Sequence, residues 1–262
     1  MNLVWARPTD NGSTINHFSV QYRLSGGSWT SAADAPVVSL SASISGLTAG
    51  STYEFRVAAV NGIGTGTYSA TASAVAPTPP VIYVADTFTR ADSSSLGTTE
   101  TGALTWAAIN PSLWSIVSNT LNRIAGTITT NPNDVAVDTG QANGTITVTN
   151  LGTTANKGIV FRLPSGTNNT GYVFYNAGGT WTLSKRTGSN AYTALGTAAG
   201  VTPAAGDVMS VVLNGSSIVC KINGTVVITL TDTSYTGTRH GVWSTGTVAG
   251  QFDNWSHSDQ IV

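Results

Sequence analysis

Hydrolysis of a glycosidic bond takes two facing carboxyl groups, about 5–5.5 Å apart for a nucleophile and its acid, or about 6.5–9.5 Å apart around a water. Residues two apart on a strand share a face, so a Glu-x-Asp-x-x-Glu run would deliver such a pair. This chain has no such run. Its glutamates, Glu54 and Glu100, fall in different predicted domains, and Asp134 and Asp138 lie four apart near a strand, where they read as solvated strand-end residues. The three histidines, His17, His240 and His257, sit in separate segments, none in a Gly-x-Ser-x-Gly nucleophile turn. His257 follows the last expected strand and reads as exposed. His240, in Thr238-Arg239-His240-Gly241, either packs a turn or touches a ligand. No catalytic residue is assigned. The single cysteine, Cys220, excludes an intrachain disulfide and cysteine-built metal sites, and its phase with Ile218 and Ile222 reads as a buried strand position.

Recognition of a sugar is better supplied. It needs aromatic faces for C–H stacking and side chains that make paired hydrogen bonds to vicinal hydroxyls. Trp106, Tyr172, Tyr175, Trp181, Tyr192, Tyr235 and Trp243 supply rings, while Arg162, Asn176 and Arg239 supply polar groups. Most of these rings must fill a core. The runs 158–163, 171–176 and 180–186 are sequential and read as adjacent strands. We assign Arg162, Tyr175 and Trp181 to their solvent face, with Arg239 and His240 as further ligand contacts. A phase error of one residue would reverse that choice.

These groups need a scaffold, and composition bounds it. Charged residues are 9% of the 262, against about 25% in ordinary soluble domains, and the surface is therefore rich in hydroxyls and amides. A net charge of −1 with scattered Lys and Arg argues against nucleic acid as a partner. No apolar run is long enough for a membrane span, and the N-terminus lacks the pattern of a signal peptide. Short alternating runs rich in Val, Ile, Thr and aromatics, without helical periodicity, predict an all-β chain. Ala76-Pro77-Thr78-Pro79-Pro80 marks a spacer, because prolines lack the N–H a ladder needs. The expected division is a domain at 1–76, a linker at 77–81 and a larger domain at 82–262. In the latter, strands are expected at 82–89, 113–125, 145–150, 158–163, 171–176, 180–186 and 251–257. Asn214-Gly215 and Asn223-Gly224 should join 208–213, 217–222 and 225–230 as a meander through type I′ turns.

The first domain carries a resemblance. Leu3-Val4-Trp5, Phe18-Ser19-Val20-Gln21-Tyr22 and Leu47 through Tyr53-Glu54-Phe55-Arg56-Val57 resemble a fibronectin type III domain, with Leu47 and Tyr53 at that family's tyrosine corner. The sequence opens at what would be the family's second strand. The expectation is that the chain is a piece of a longer polypeptide, or that a partner strand completes the sandwich.

The second domain resembles the concanavalin A-like lectin and glucanase jelly rolls through Asp86-Thr87-Phe88, Gly158-Ile159-Val160-Phe161-Arg162, Gly241-Val242-Trp243 and Phe252-Asp253-Asn254-Trp255. Within that superfamily it is most similar to domains of phage minor tail and receptor-binding proteins. The resemblance implies a structural calcium ion held by Asp86 and Asp253 on the first and last strands, six to eight oxygens being completed by carbonyls and water. It also implies a non-catalytic adhesion protein outside the cell or on a virion, with glycan or cell-surface polysaccharide and other tail proteins as partners, and a homotrimeric state. A purely structural virion module and a glycoside hydrolase are the competing readings.

Overall fold

A computed structural model describes residues 1–123, 133–152, 156–166, 170–188, 191–245 and 250–261. The chain divides into two compact units, Met1–Pro79 and Pro80–Val262, with the boundary inside the proline stretch.

In the first unit, ten-residue runs with apolar residues at alternate positions form the two long strands. The strands are β1 (Asn2–Val4), β2 (Ile15–Leu24), β3 (Thr30–Ser31), β4 (Ala35–Pro36), β5 (Ser41–Ser43), β6 (Thr52–Asn61) and β7 (Ala72–Val75). β1 and β5 make a two-stranded sheet, while β3, β2, β6 and β7 lie side by side in a second, to which β4 adds through β2. Phe18, Val20 and Phe55 point between the sheets with Ile15, Ile44 and Tyr53, and Trp5 packs edge-on against Phe18 at 5.5 Å between ring centroids. The Tyr53 hydroxyl accepts the Thr48 N–H at 3.0 Å, closing the tyrosine corner.

The second unit is a jelly-roll sandwich. Its strands are β8 (Ile82–Asp86), β9 (Ala107–Ala108), β10 (Trp114–Val117), β11 (Thr120–Arg123), β12 (Asp134–Asp138), β13 (Gly144–Asn150), β14 (Lys157–Leu163), β15 (Gly171–Ala177), β16 (Thr180–Gly188), β17 (Ala191–Ala198), β18 (Asp207–Asn214), β19 (Ser217–Ile222), β20 (Thr225–Thr231), β21 (Arg239–Ser244) and β22 (Gly250–Ser258). One sheet runs β10-β11-β22-β13-β18-β19-β20 with β8 also on β22, and the other runs β17-β16-β15-β14-β21-β12-β9. Between them lie Trp106, Trp114, Phe161, Phe174, Trp181 and Trp255 among many aliphatic residues. The fold is all-β.

The meander is present, with one of its turns changed. Asn223 and Gly224 both have positive φ, 49° and 79°, as a type I′ turn requires. Asn214, by contrast, still pairs with Ser217, so the loop is Gly215-Ser216, with glycine supplying the positive φ of its first position. The run expected at 113–125 is, over its described part, a hairpin of two strands, β10 and β11, and positions 124–125 lie outside the described residues.

Candidate functional site

On the seven-stranded sheet, cross-strand register sets which side chains share the outer face. Asp134 and Gly158 both lie opposite Trp243, Gly158 lies opposite Tyr175, and Tyr175 is followed across the sheet by Thr182 and Thr197. Two contacts reach across this face. Arg186 of β16 holds Asp134 of β12 in a bidentate pair, 2.9 Å from Nη1 to Oδ1 and 2.6 Å from Nη2 to Oδ2. Tyr192 of β17 meets Trp243 of β21 edge-on at 6.2 Å.

Each of these contacts joins strands four places apart in the sheet order. On a flat sheet that is about 19 Å, well beyond the reach of two side chains. The sheet is therefore curled, and this face is concave. Within it, Ala136, Val160, Leu163, Val173 and Trp243 form a second apolar cluster, with Tyr175 and Tyr192 packed partly buried against it. Burial drives the Asp134 carboxyl upward against the pull of Arg186, and the attached carboxylate raises Arg186. The expectation that Asp134 is a solvated strand-end residue is thus corrected: it is fully buried, and its charge is met by an arginine 52 residues away.

Tyr175 keeps its place on the outer face. Half-buried, it stands edge-on to Trp243 at 4.9 Å, with the Thr182 and Thr197 hydroxyls in the same cross-strand row. Trp181 does not. It is 0% exposed, lies on the inner face and packs tilted against Phe174 at 5.3 Å between ring centroids, so it offers no face to a ligand. The reversal is the one-residue phase error that strands buried on both sides permit.

Arg162 is also corrected, from ligand contact to internal tie. It sits at a bulge between Val160 and Leu163 with φ of 51°, and its guanidinium donates to the Ala142 and Gly215 carbonyls and to Asn143 Oδ1. Burial lowers its pKa. Arg239, partly exposed, lies opposite Asp138 at the start of β21, away from the Tyr175 row.

His240 and His257, expected at a turn and on the surface, are instead both fully buried, with ring centroids 4.7 Å apart. His240 Nδ1 accepts the Arg162 backbone N–H, so its Nε2 carries the proton and donates to the Gln141 carbonyl at 2.7 Å. His257 Nε2 faces the Asn143 carbonyl at 3.0 Å and must likewise donate, while Nδ1 lies 3.0 Å from the Thr139 hydroxyl, which also lies 3.0 Å from the Thr238 carbonyl. The His240 ring is therefore satisfied only when neutral. Desolvation, joined by the neighbouring His257, pushes His240 down to about 3, and desolvation pushes His257 down to about 4.

Asp86 and Asp253, expected to hold calcium, both accept hydrogen bonds from protein donors. Both oxygens of the buried Asp86 carboxylate are saturated: Oδ1 accepts from Phe88 N–H and Arg90 Nη1, and Oδ2 accepts from Arg90 Nη2 and Trp106 Nε1. No lone pair remains for a cation. Asp253 caps its own neighbour, Asn254 N–H, at 2.8 Å. Among the described residues, no group of three or more His, Cys, Asp or Glu side chains is placed to hold a metal ion.

Sequence reasoning named Tyr192 and Trp243 among the rings without placing them together, and it missed the Asp134–Arg186 tie. No local signal marks either contact, because both depend on how far the sheet curls.

Solved structures similar to this chain are found at low sequence identity. The carbohydrate-binding module CBM66 from Bacillus subtilis is 12% identical with a TM-score of 0.45, the match covering 58% of this chain and 92% of that one. LamAcat from Zobellia galactanivorans is 12% identical with a TM-score of 0.45, covering 69% and 98%. A Xenopus laevis protein, cell adhesion molecule-related/down-regulated by oncogenes, is 40% identical over 63 residues, which are 24% of this chain and 5% of that relative. This chain therefore spans a small part of that relative's length. The fibronectin type III family model matches residues 1–75, and together with the paired sheets and the tyrosine corner this makes the first unit a fibronectin type III domain.

Proposed function

We propose that this chain is a non-catalytic surface-recognition protein whose jelly-roll unit binds a cell-surface or environmental glycan, while the fibronectin type III unit spaces or orients it. The observation that carries the reading is the Tyr175 row: a half-exposed ring braced by Trp243, with the exposed Thr197 hydroxyl in the same row on a concave face. A sugar stacks its C–H face on such a ring and exchanges hydrogen bonds with a hydroxyl in the same row. The reading as a binder rests on how the carboxylates are used. Asp86, Asp134, Asp207 and Asp232 are each engaged by arginine, amide, hydroxyl or backbone donors rather than paired across a cleft.

The setting we propose is extracellular or on a phage tail, where the charge-poor, hydroxyl-rich surface resists stray ionic contacts. Copies in a trimer or around a virion would raise a weak single-site affinity through effective concentration.

The test is a glycan array with the full chain, followed by titration of any hit. Tyr175→Ala is expected to weaken binding at least tenfold with the unfolding midpoint retained, while Trp181→Phe leaves binding unchanged. A folded chain that binds no glycan would leave the structural virion module as the better account. Turnover of any glycan would establish a hydrolase instead.

A further inference from the structure

A second candidate site lies in the first unit, independent of the Tyr175 reading. On the outer face of β2 and β6, Gln21 is paired with Arg56, and Arg23 with Glu54. Trp29, from the β2–β3 turn, and Tyr68, from the segment between β6 and β7, fold onto this face. The Arg56 guanidinium carbon lies 4.0 Å from the Trp29 ring centroid and 4.3 Å from that of Tyr68, and the Arg23 guanidinium carbon lies 4.3 Å from Trp29.

The two arginines are not equivalent. Arg23 donates Nε–H to Glu54 Oε2 at 2.5 Å and Nη1–H to the Gly27 carbonyl, so its charge is met. Arg56 has no carboxylate partner among the described residues. Its Nε–H and one Nη2–H both go to Gln21 Oε1, at 2.9 and 2.6 Å. Of the five guanidinium N–H groups, three remain: two on Nη1 and one on Nη2, the forked edge that matches an oxyanion. The Arg56 guanidinium carbon lies over both rings and Gln21 fixes its rotation, so a ligand meets a pre-oriented edge at little entropic cost.

We propose that Arg56, clasped by Trp29, Tyr68 and Gln21, is a binding site for a carboxylate or sulfate carried on an acidic polysaccharide. The neighbours decide the class of polymer. Ser19, Ser31 and the Gln21 amide offer neutral hydrogen-bonding groups on the same face, and the further cation there, Arg23, is already neutralised by Glu54. One uncompensated charge among hydroxyl and amide groups suits anions spaced along a hydroxylated chain. A nucleic acid would call for a row of cations.

The test is isothermal titration of the full chain at low salt with polygalacturonate and dextran sulfate, and with neutral dextran as control. Binding to at least one acidic polymer and not to dextran is expected. Arg56→Gln should weaken it at least tenfold. Arg56→Lys, which keeps the charge and loses the fork, should weaken it severalfold, with thermal midpoints showing both variants folded. Tyr175→Ala should leave this binding unchanged, which separates it from any glycan binding by the second unit. The proposal is overturned if neither acidic polymer binds, if dextran binds equally, or if the Arg56 variants bind like the parent. Poly-glutamate binding as tightly as polygalacturonate would make the ligand an acidic peptide and overturn the polysaccharide assignment.

Discussion

Acidification from pH 7 to pH 5 is expected to remove about 4 kcal/mol of stability from the second unit, chiefly through two buried imidazoles. His240 and His257 have folded-state values of about 3 and about 4, both below the ordinary 6.5 of an unfolded chain. Over this interval the unfolded state binds more protons than the folded one. Stability is therefore complete above pH 6.5 and is lost as pH falls toward the folded values. Each ring forfeits about 2 kcal/mol by pH 5, at ~1.4 kcal/mol per pH unit below its unfolded pKa. The geometry supplies the reason: a proton on His240 Nδ1 would face the Arg162 N–H, donor against donor. Arg162 and Asp138 are the other charged groups that act on His240, and neither changes charge between pH 7 and 5. Asp232, held down to about 2, titrates below this window.

The assay is urea unfolding of the full chain at several pH values, followed by tryptophan fluorescence, against His257→Gln. The glutamine amide can still donate to the Asn143 carbonyl but takes up no proton. Its pH 7-to-5 loss should be about half that of the parent. The Asp134–Arg186 pair is common to both proteins and cancels in the comparison. Equal losses in parent and variant, or a parent whose midpoint is flat across this range, would refute the reasoning.

Two further predictions concern the core and the concave face. Trp181→Ala should cost about 3–5 kcal/mol of stability, read from the shift in denaturant midpoint, because it empties a fully buried indole site rather than stripping a surface ring. Asp134→Ala should cost about 3–5 kcal/mol because it strands a buried guanidinium, whereas the double replacement Asp134→Ala with Arg186→Met should recover much of that loss in the same measurement.

The strands legible in the sequence were those with one wet face. In β19, Ile218, Cys220 and Ile222 alternate with more open residues, and that period of two set both its bounds and the burial of Cys220. Phase failed where both faces are covered. The first four residues of β15 and residues 181–184 of β16 are buried without alternation, since the sheet's curl gives the outer face its own apolar packing. Nothing in such a run says which side Trp181 takes. The bulge at Arg162 adds a residue to β14, so a count from Phe161 loses register before Leu163. β12, β17 and β21 went unassigned as strands because small residues such as Ala136, Ala194 and Gly241 dilute the apolar signal. The tyrosine corner was readable because its partners are five residues apart. The Asp134–Arg186 pair, 52 apart, was not.

That ion pair has a consequence for motion. It fastens β16 to β12 across the hollow of the sheet, so the hollow cannot open by gradual flattening without exposing a guanidinium and a carboxylate that now lie out of water. Fraying at this face is thus coupled to loss of the whole fold. Backbone amides of β14, β15 and β21 beneath the tie should exchange with solvent deuterium only as fast as the unit unfolds, while those of β20, last in its sheet among the described residues, exchange by local opening.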